Sequence, residues 1–141
     1  KLKISSLTEN CLIEKHTTKG NKRLSNLIYS KLYNASSTNK NNPAIQSISL
    51  LIETNKKKKA TIKNNAGKIL EYEINLNTNI VIHDFLTEKK MLDQNFNYSI
   101  TYKVQDEHFE TIKLENKNIQ NLIDKTYQDM LIEISDTANL Q

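Results

Sequence analysis

The sequence predicts an α/β fold of the two-layer α+β sandwich type, with its elements in the order β-α-β-β-β-α. Two helices are expected on one face of a mostly antiparallel or mixed four-stranded sheet. Two observations lead to this fold class. Two runs of alternating apolar and polar residues lie next to each other in the second half of the chain, which is typical of an antiparallel ribbon with one apolar face. Amphipathic segments on both sides of the ribbon supply helices that can cover that face.

The ribbon is the strongest element of the prediction. Its first strand is expected over Leu70–Asp84 and its second over Asn95–Lys103, with the turn around His83–Lys90. Side chains of a strand point alternately to its two faces. The predicted buried face therefore carries every second residue of both runs, chiefly Tyr72, Ile74, Leu76, Ile80, Ile82, Phe96, Tyr98 and Ile100.

Shorter patterns place the elements before the ribbon. Leu2 and Ile4 alternate with polar residues and predict a first strand, and the apolar spacing within Lys19–Tyr33 predicts the first helix. Asn34–Asn42 is rich in Ser, Asn and Lys and is interpreted as a surface loop. Alternation over Ile48–Ile52 predicts the next strand.

Two segments complete the chain. Lys56, Lys57, Lys58 and Lys59 form an unbroken basic run. This run indicates either a solvated loop tip or a strand edge guarded against aggregation, and the functional alternative is a contact for phosphate groups. The final segment, Asp106–Asp136, is a long amphipathic helix whose apolar face carries Ile119, Leu122, Ile123, Thr126, Met130 and Ile134.

Composition limits the classes of function. A chain of 141 residues with 37% hydrophobic residues predicts one domain over 1–141. A net charge of +4 suits a phosphate-bearing partner such as nucleic acid, anionic lipid or lipopolysaccharide. The single cysteine, Cys11, excludes an internal disulfide and is expected to be a small buried apolar residue.

Motifs for catalysis are not visible. His16, His83 and His108 are far apart and lack metal-ligand spacing, and the two glycines are too isolated to form a phosphate-binding loop. No serine lies in a glycine-framed nucleophile elbow. We therefore expect a binding or assembly protein rather than an enzyme, with no metal and no cofactor.

Several local patterns of the chain together match one known family. The first patterns are Lys3-Ile4-Ser5 and the helix around Lys22–Leu32, followed by Pro43-Ala44-Ile45 before the next strand. The strongest is Ala60-Thr61-Ile62-Lys63-Asn64, followed by Gly67 and the strand that starts near Tyr72, and the closing helix around Asp124–Leu131 also fits. In these patterns the chain resembles the LPS-assembly lipoprotein family, LptE.

This resemblance implies a specific role. Members of the family are anchored by lipid at the periplasmic face of the outer membrane, plug the LptD barrel and help it assemble, and contact lipopolysaccharide during export. The signal peptide and lipidated cysteine are then expected upstream of Lys1. The basic residue of the family's apolar-basic-Asn motif corresponds to Lys63, and a second basic position corresponds to Lys113. Lys56, Lys57, Lys58 and Lys59 are further candidates for the lipopolysaccharide contact.

Two alternatives remain at this point. The order α-β-β-β-α from Lys19 onward resembles a double-stranded RNA-binding domain. The last helix, however, begins with acidic residues where that domain needs lysine, and the polar face of the ribbon lacks aromatic residues for base stacking, so no nucleic-acid partner is expected. The other alternative is a general scaffold protein of the cell envelope.

Overall fold

The computed structural model describes residues 11–36 and 45–139, and the side chains up to residue 136. Six elements follow one another in the order β-α-β-β-β-α, which confirms the predicted fold class. They are β1 (Cys11–Gly20), α1 (Lys22–Ala35), β2 (Gln46–Lys63), β3 (Ile69–Asp84), β4 (Lys90–Lys103) and α2 (His108–Asn139).

The four strands form one mixed sheet in the order β1-β2-β3-β4. β1 runs parallel to β2, while the pairs β2–β3 and β3–β4 are antiparallel. Both helices pack on the same face of the sheet, here called the helix face; the opposite face is called the open face. This is the predicted two-layer arrangement, since a sheet with one apolar face is stable when helices cover that face.

The first strand that the structure describes is β1, formed by Cys11–Gly20, and this segment was not predicted to be a strand. The predicted strand at Leu2 and Ile4 lies outside the described residues, as does most of the predicted loop before Pro43. A shift in the register of β1 against β2 falls between Ile13 and Lys15. Such a bulge breaks the period of two, so alternation did not reveal this strand.

β2 is also much longer than the alternation over Ile48–Ile52 predicts. It continues through the lysine run to Lys63, and Lys56–Lys59 pair with Leu76–Glu73 of β3. The interpretation of the run as a loop tip is therefore wrong. The alternative, a strand edge, is confirmed, because β1 pairs with β2 only as far as Thr54.

The core lies between the helix face and the two helices. Ile74, Leu76, Thr78 and Ile80 are fully buried, as the alternation predicted. The expected face of α2 is also buried, from Ile119 to Ile134. Burial of this apolar surface is the main stabilising contribution to the fold.

A small set of buried hydroxyl groups connects α1 to the sheet. Ser25 Oγ donates to the carbonyl of Lys19 at 2.7 Å and accepts from the backbone N–H of Thr54 at 3.0 Å. Thr78 Oγ1 donates to Thr54 Oγ1 at 3.4 Å. Because buried polar groups are costly when unpaired, Ser25 fixes the position of the helix start against β1 and β2.

Candidate functional site

The two residues identified through the family resemblance lie at the same end of the sheet. Lys63 is the last residue of β2 and is paired with Ile69, while Lys113 lies in the first turns of α2. The backbone N–H of Val104, just before α2, donates to the carbonyl of Leu70 at the start of β3. This bond brings the beginning of α2 next to the β2–β3 turn.

The β2–β3 turn is shaped by Asn64. Its side-chain Oδ1 accepts from the backbone N–H groups of Ala66 and Lys68, both at 2.9 Å, and Gly67 N–H donates to the Asn64 carbonyl. Gly67 has φ +83°, a conformation that glycine adopts without strain. The turn therefore holds Lys63 and Lys68 on either side of a well-defined loop.

Four exposed lysines define what is here called the basic end: Lys63, Lys68, Lys103 and Lys113. Lys103 belongs to it because it closes β4 opposite Glu71. Carboxylates are present as well, since Asp106, Glu107 and Glu110 lie at the start of α2. The basic end therefore lies next to a helix start that carries carboxylates.

Large apolar side chains are exposed at the same end. The exposed fractions are 47% for Ile62, 41% for Leu70, 57% for Phe109 and 45% for Ile112. Ile62 and Leu70 flank the β2–β3 turn, and Phe109 and Ile112 lie one turn apart on α2. This end of the molecule thus combines cationic and apolar groups on neighbouring elements.

The lysine run does not act as one cluster, because its side chains alternate between the two faces of β2. Lys56 and Lys58 pair with Leu76 and Ile74 and so share the helix face, whereas Lys57 and Lys59 lie on the open face. The open-face pair borders a depression of about 530 Å³ at the strand edge, which Lys58, Glu73 and Asn75 also line. Lys59 Nζ is 3.4 Å from the Glu73 carboxylate.

Lys58 is engaged within the protein. Its Nζ lies 2.6 Å from Glu115 Oε1 on α2 and 4.3 Å from the centre of the Tyr72 ring. The Tyr102 hydroxyl donates to the same carboxylate. Burial acts to raise the pKa of Glu115, but the hydrogen bonds from Lys58 and Tyr102 outweigh it and the pKa is lowered.

A second tyrosine fastens α2 to β4 in a similar way. The Tyr98 hydroxyl donates to Asp129, and Lys125 lies 4.9 Å from the centre of the Tyr98 ring. Burial, together with the Asp129 carboxylate, raises the pKa of Tyr98 to about 12. The hydroxyl groups of Tyr98 and Tyr102 are therefore bonded to carboxylates of α2, and both rings lie on the helix face rather than on the open face.

The open face is polar and rich in asparagine. Asn55, Asn77 and Asn97 lie opposite one another across three strands, and Asn79 lies opposite Asn95. Asn75 Nδ2 donates to Ser99 Oγ at 2.8 Å, and Asn79 Nδ2 donates to Asp93 Oδ1 at 3.2 Å. These amides give the open face a hydrogen-bonding surface.

Other candidate sites in the described part of the chain are few. No group of three or more His, Cys, Asp or Glu residues there has a metal-binding arrangement, and neither of its helices is long and apolar enough to cross a membrane.

Cys11 is only partly buried, rather than fully buried as expected, and burial raises the pKa of its thiol.

Sequence reasoning selected Lys63 and Lys113 but not Lys68, Lys103 or the exposed apolar residues beside them. The signal for Lys103 was its position at the end of a predicted strand, next to the start of the last helix. The sequence could not predict that Ile62 and Leu70 are exposed. Both are apolar residues in strands, and the apolar pattern does not show where the covering helices end.

Comparison with known proteins gives similarity at the level of structure. No family model matches the sequence, and no curated protein matches it. The solved structure of rare lipoprotein B from Shewanella oneidensis is similar with a TM-score of 0.60 and 14% identity, over 90% of this chain and 98% of that chain.

Two further structures have the same fold. A minor lipoprotein from Acinetobacter baumannii has a TM-score of 0.56 and 17% identity, over 92% of this chain and 94% of that chain. Lipoprotein B from Nitrosomonas europaea has a TM-score of 0.53 and 14% identity, over 87% and 83% of the two chains. The chain therefore shares its fold with several bacterial lipoproteins along nearly its whole length.

Proposed function

We propose that this chain is an outer-membrane lipoprotein of lipopolysaccharide export, which plugs the LptD barrel, assists its assembly and contacts lipopolysaccharide. The proposal joins the resemblance of the sequence to the LptE family with the fold that the chain shares with bacterial lipoproteins. The role is binding and assembly, without catalysis. The protein would lie at the periplasmic face of the outer membrane, held by a lipid anchor upstream of Lys1.

One observation carries the proposed contact with lipopolysaccharide: cationic and apolar side chains occur together at the basic end. Lipopolysaccharide is an amphiphile with phosphates next to acyl chains. A lysine ammonium pairs with phosphate as a mobile point charge, while exposed apolar side chains such as Phe109 and Ile112 favour contact with hydrocarbon. A surface with both features suits such a ligand better than a surface of lysines alone.

The open face supports the barrel role. The interior of a large outer-membrane barrel is polar, and a plug needs a surface that can hydrogen-bond with it. The asparagine rows of the open face supply neutral donors and acceptors over three strands. Recognition of nucleic acid is less well supported, because Tyr98 and Tyr102 of the ribbon are bonded to carboxylates of α2 and leave the open face without a ring for base stacking.

The lipopolysaccharide contact can be tested with two variants of equal charge. In the first, Lys63, Lys68 and Lys113 are replaced by Ser; in the control, Lys15, Lys22 and Lys89 are replaced by Ser. All six lysines are exposed, and exposed charge contacts contribute about 0–1 kcal/mol each. We expect the first variant to bind lipopolysaccharide roughly tenfold more weakly at low salt, with a smaller difference at higher salt.

The control separates a site from general attraction. If the control variant loses as much affinity as the first, net charge alone governs binding and the basic end is not the site. If wild-type protein does not bind lipopolysaccharide at all, the direct contact is wrong. The barrel role would then be decided by its separate test, co-purification with LptD.

A further inference from the structure

The outer edge of β2 is a structural feature separate from the basic end. β1 pairs with β2 up to Gly20, which lies opposite Thr54. Beyond that point β2 continues to Lys63, and within residues 11–36 and 45–139 no strand pairs with its outer side. The segment from 55 to 60 is here called the β2 edge.

Gly20 sets the point at which β1 leaves β2. Its φ is +73°, and a Cβ at this position would lie 2.3 Å from the Thr54 carbonyl oxygen. The next residue, Asn21, donates its backbone N–H to that same oxygen at 2.7 Å, and its side chain caps α1 by accepting from Leu24 N–H. The turn into α1 is thus tightly packed against β2. It ends the β1–β2 pairing at Thr54, so the β2 edge begins at the next residue.

The backbone direction along the edge follows from Thr54. Its carbonyl accepts from Asn21 and its N–H donates to Ser25 Oγ, so both groups point away from β3. In an antiparallel pair, the residues that direct their N–H and C=O toward the partner strand alternate with those that direct them away. Lys56 and Lys58 therefore present their backbone groups outward, whereas Lys57 uses its own to pair with β3.

The Lys58 side chain does not lie across the β2 edge. It lies over the helix face, where its Nζ contacts Glu115 and the Tyr72 ring. A strand lying alongside could therefore reach its backbone N–H and C=O. Such addition of an extended segment to an open sheet edge is a recurring mode of peptide recognition.

Charge selects the kind of strand that fits. Four consecutive lysines line the edge on both faces; ion pairs within the described residues engage Lys58 and Lys59, but not Lys56 or Lys57. A like-charged neighbour opposite these lysines is unfavourable, and an opposite charge is favourable. A second copy of the same edge would place lysines against lysines. Lysines at a sheet edge thus guard against self-association while leaving acidic strands as suitable partners.

We propose that the β2 edge is a docking site for an extended acidic segment of a partner protein, which adds a fifth strand next to residues 55–60. The backbone of Lys56 and Lys58 would pair with the added strand. Lys56 and Lys57 would supply the charge that distinguishes an acidic strand from a neutral or basic one.

The probe is a synthetic peptide of alternating threonine and glutamate, compared with a peptide of alternating threonine and lysine. The key variant is Lys56→Pro, which removes an outward N–H and leaves the β2–β3 pairing intact, since proline is tolerated where the N–H of an edge strand faces solvent. Lys56→Ala is the control for the lost charge. We expect the acidic peptide to bind and the basic one not to, and we expect about tenfold weaker binding for Lys56→Pro than for Lys56→Ala.

Amide hydrogen exchange of the wild-type protein gives a readout that does not depend on the fold of a variant. The acidic peptide should slow exchange at Lys56 and Lys58 much more than at Lys57, whose N–H is already bonded to β3. Absence of binding by wild type, or peptide binding without this alternating protection, would overturn the proposal. Concentration-dependent dimerisation with the same protection would assign the edge to a second copy and would also overturn it.

Discussion

At the scale of single residues, the contact between Lys58 and Glu115 determines how the lysine run should be understood. The sequence groups four lysines together, but the structure divides them between two faces and ties one to α2. This could not be predicted, because the partner carboxylate lies on a helix far along the chain. The alternation of side chains along β2 becomes informative only after the segment is known to be a strand.

Glu115 is expected to contribute to stability in a pH-dependent way. Its pKa in the folded protein is lowered from its ordinary value of 4.5. The contribution is therefore present above that pH and is lost as the pH falls through the folded pKa. Urea unfolding at a series of pH values should show that Glu115→Gln loses less stability than wild type on acidification below about 4.5. An equal acid dependence in both proteins would show that the Lys58 and Tyr102 contacts do not stabilise the fold.

Ser25 gives a second test at this scale. Ser25→Ala leaves the Lys19 carbonyl and the buried Thr54 N–H without their hydroxyl partner, so the free energy of unfolding should fall by about 1–3 kcal/mol. Ser30→Ala on the exposed side of the same helix is the matched control and should change stability little. Equal effects of the two substitutions in denaturant unfolding would contradict the role given to the Ser25 hydroxyl.

At the scale of elements, the ribbon and the two helices were predictable, and the start of the sheet was not. Period-two alternation located β3, and the apolar spacing located α2, because each segment has one buried face over many residues. β1 escaped detection because a bulge interrupts its alternation. The predicted length of β2 was too short because lysines are uncommon in strands. In the structure, pairing with β3 keeps the lysine run in the extended conformation.

Leu76 tests the packing of the ribbon against the helices. It is fully buried on the helix face of β3, and Leu76→Ala should lower the free energy of unfolding by about 2–5 kcal/mol. Leu86, which is 82% exposed in the β3–β4 turn, provides the control and should tolerate Ala with little change. A small effect at Leu76 would mean that the ribbon is not packed as described.

At the scale of the whole molecule, sequence and structure agree on a two-layer fold whose ribbon has one polar face, while the basic end emerges only from the structure. The resemblance directed attention to Lys63 and Lys113, and topology gathers them beside Lys68 and Lys103 at one end of the sheet. The apolar residues exposed there could not have been predicted, since exposure depends on where the helices stop covering the sheet. The same topology keeps the β2 edge and the open face accessible beside the covered core.

We propose that this protein plugs the LptD barrel, and co-purification tests that proposal most directly. Tagged protein should be recovered from the membranes of its own cells, after mild detergent extraction, together with LptD in about equal amounts. An untagged strain gives the background. Recovery of LptD well above that background is the predicted result, whereas recovery of the tagged protein with no more LptD than in the untagged strain would contradict the account.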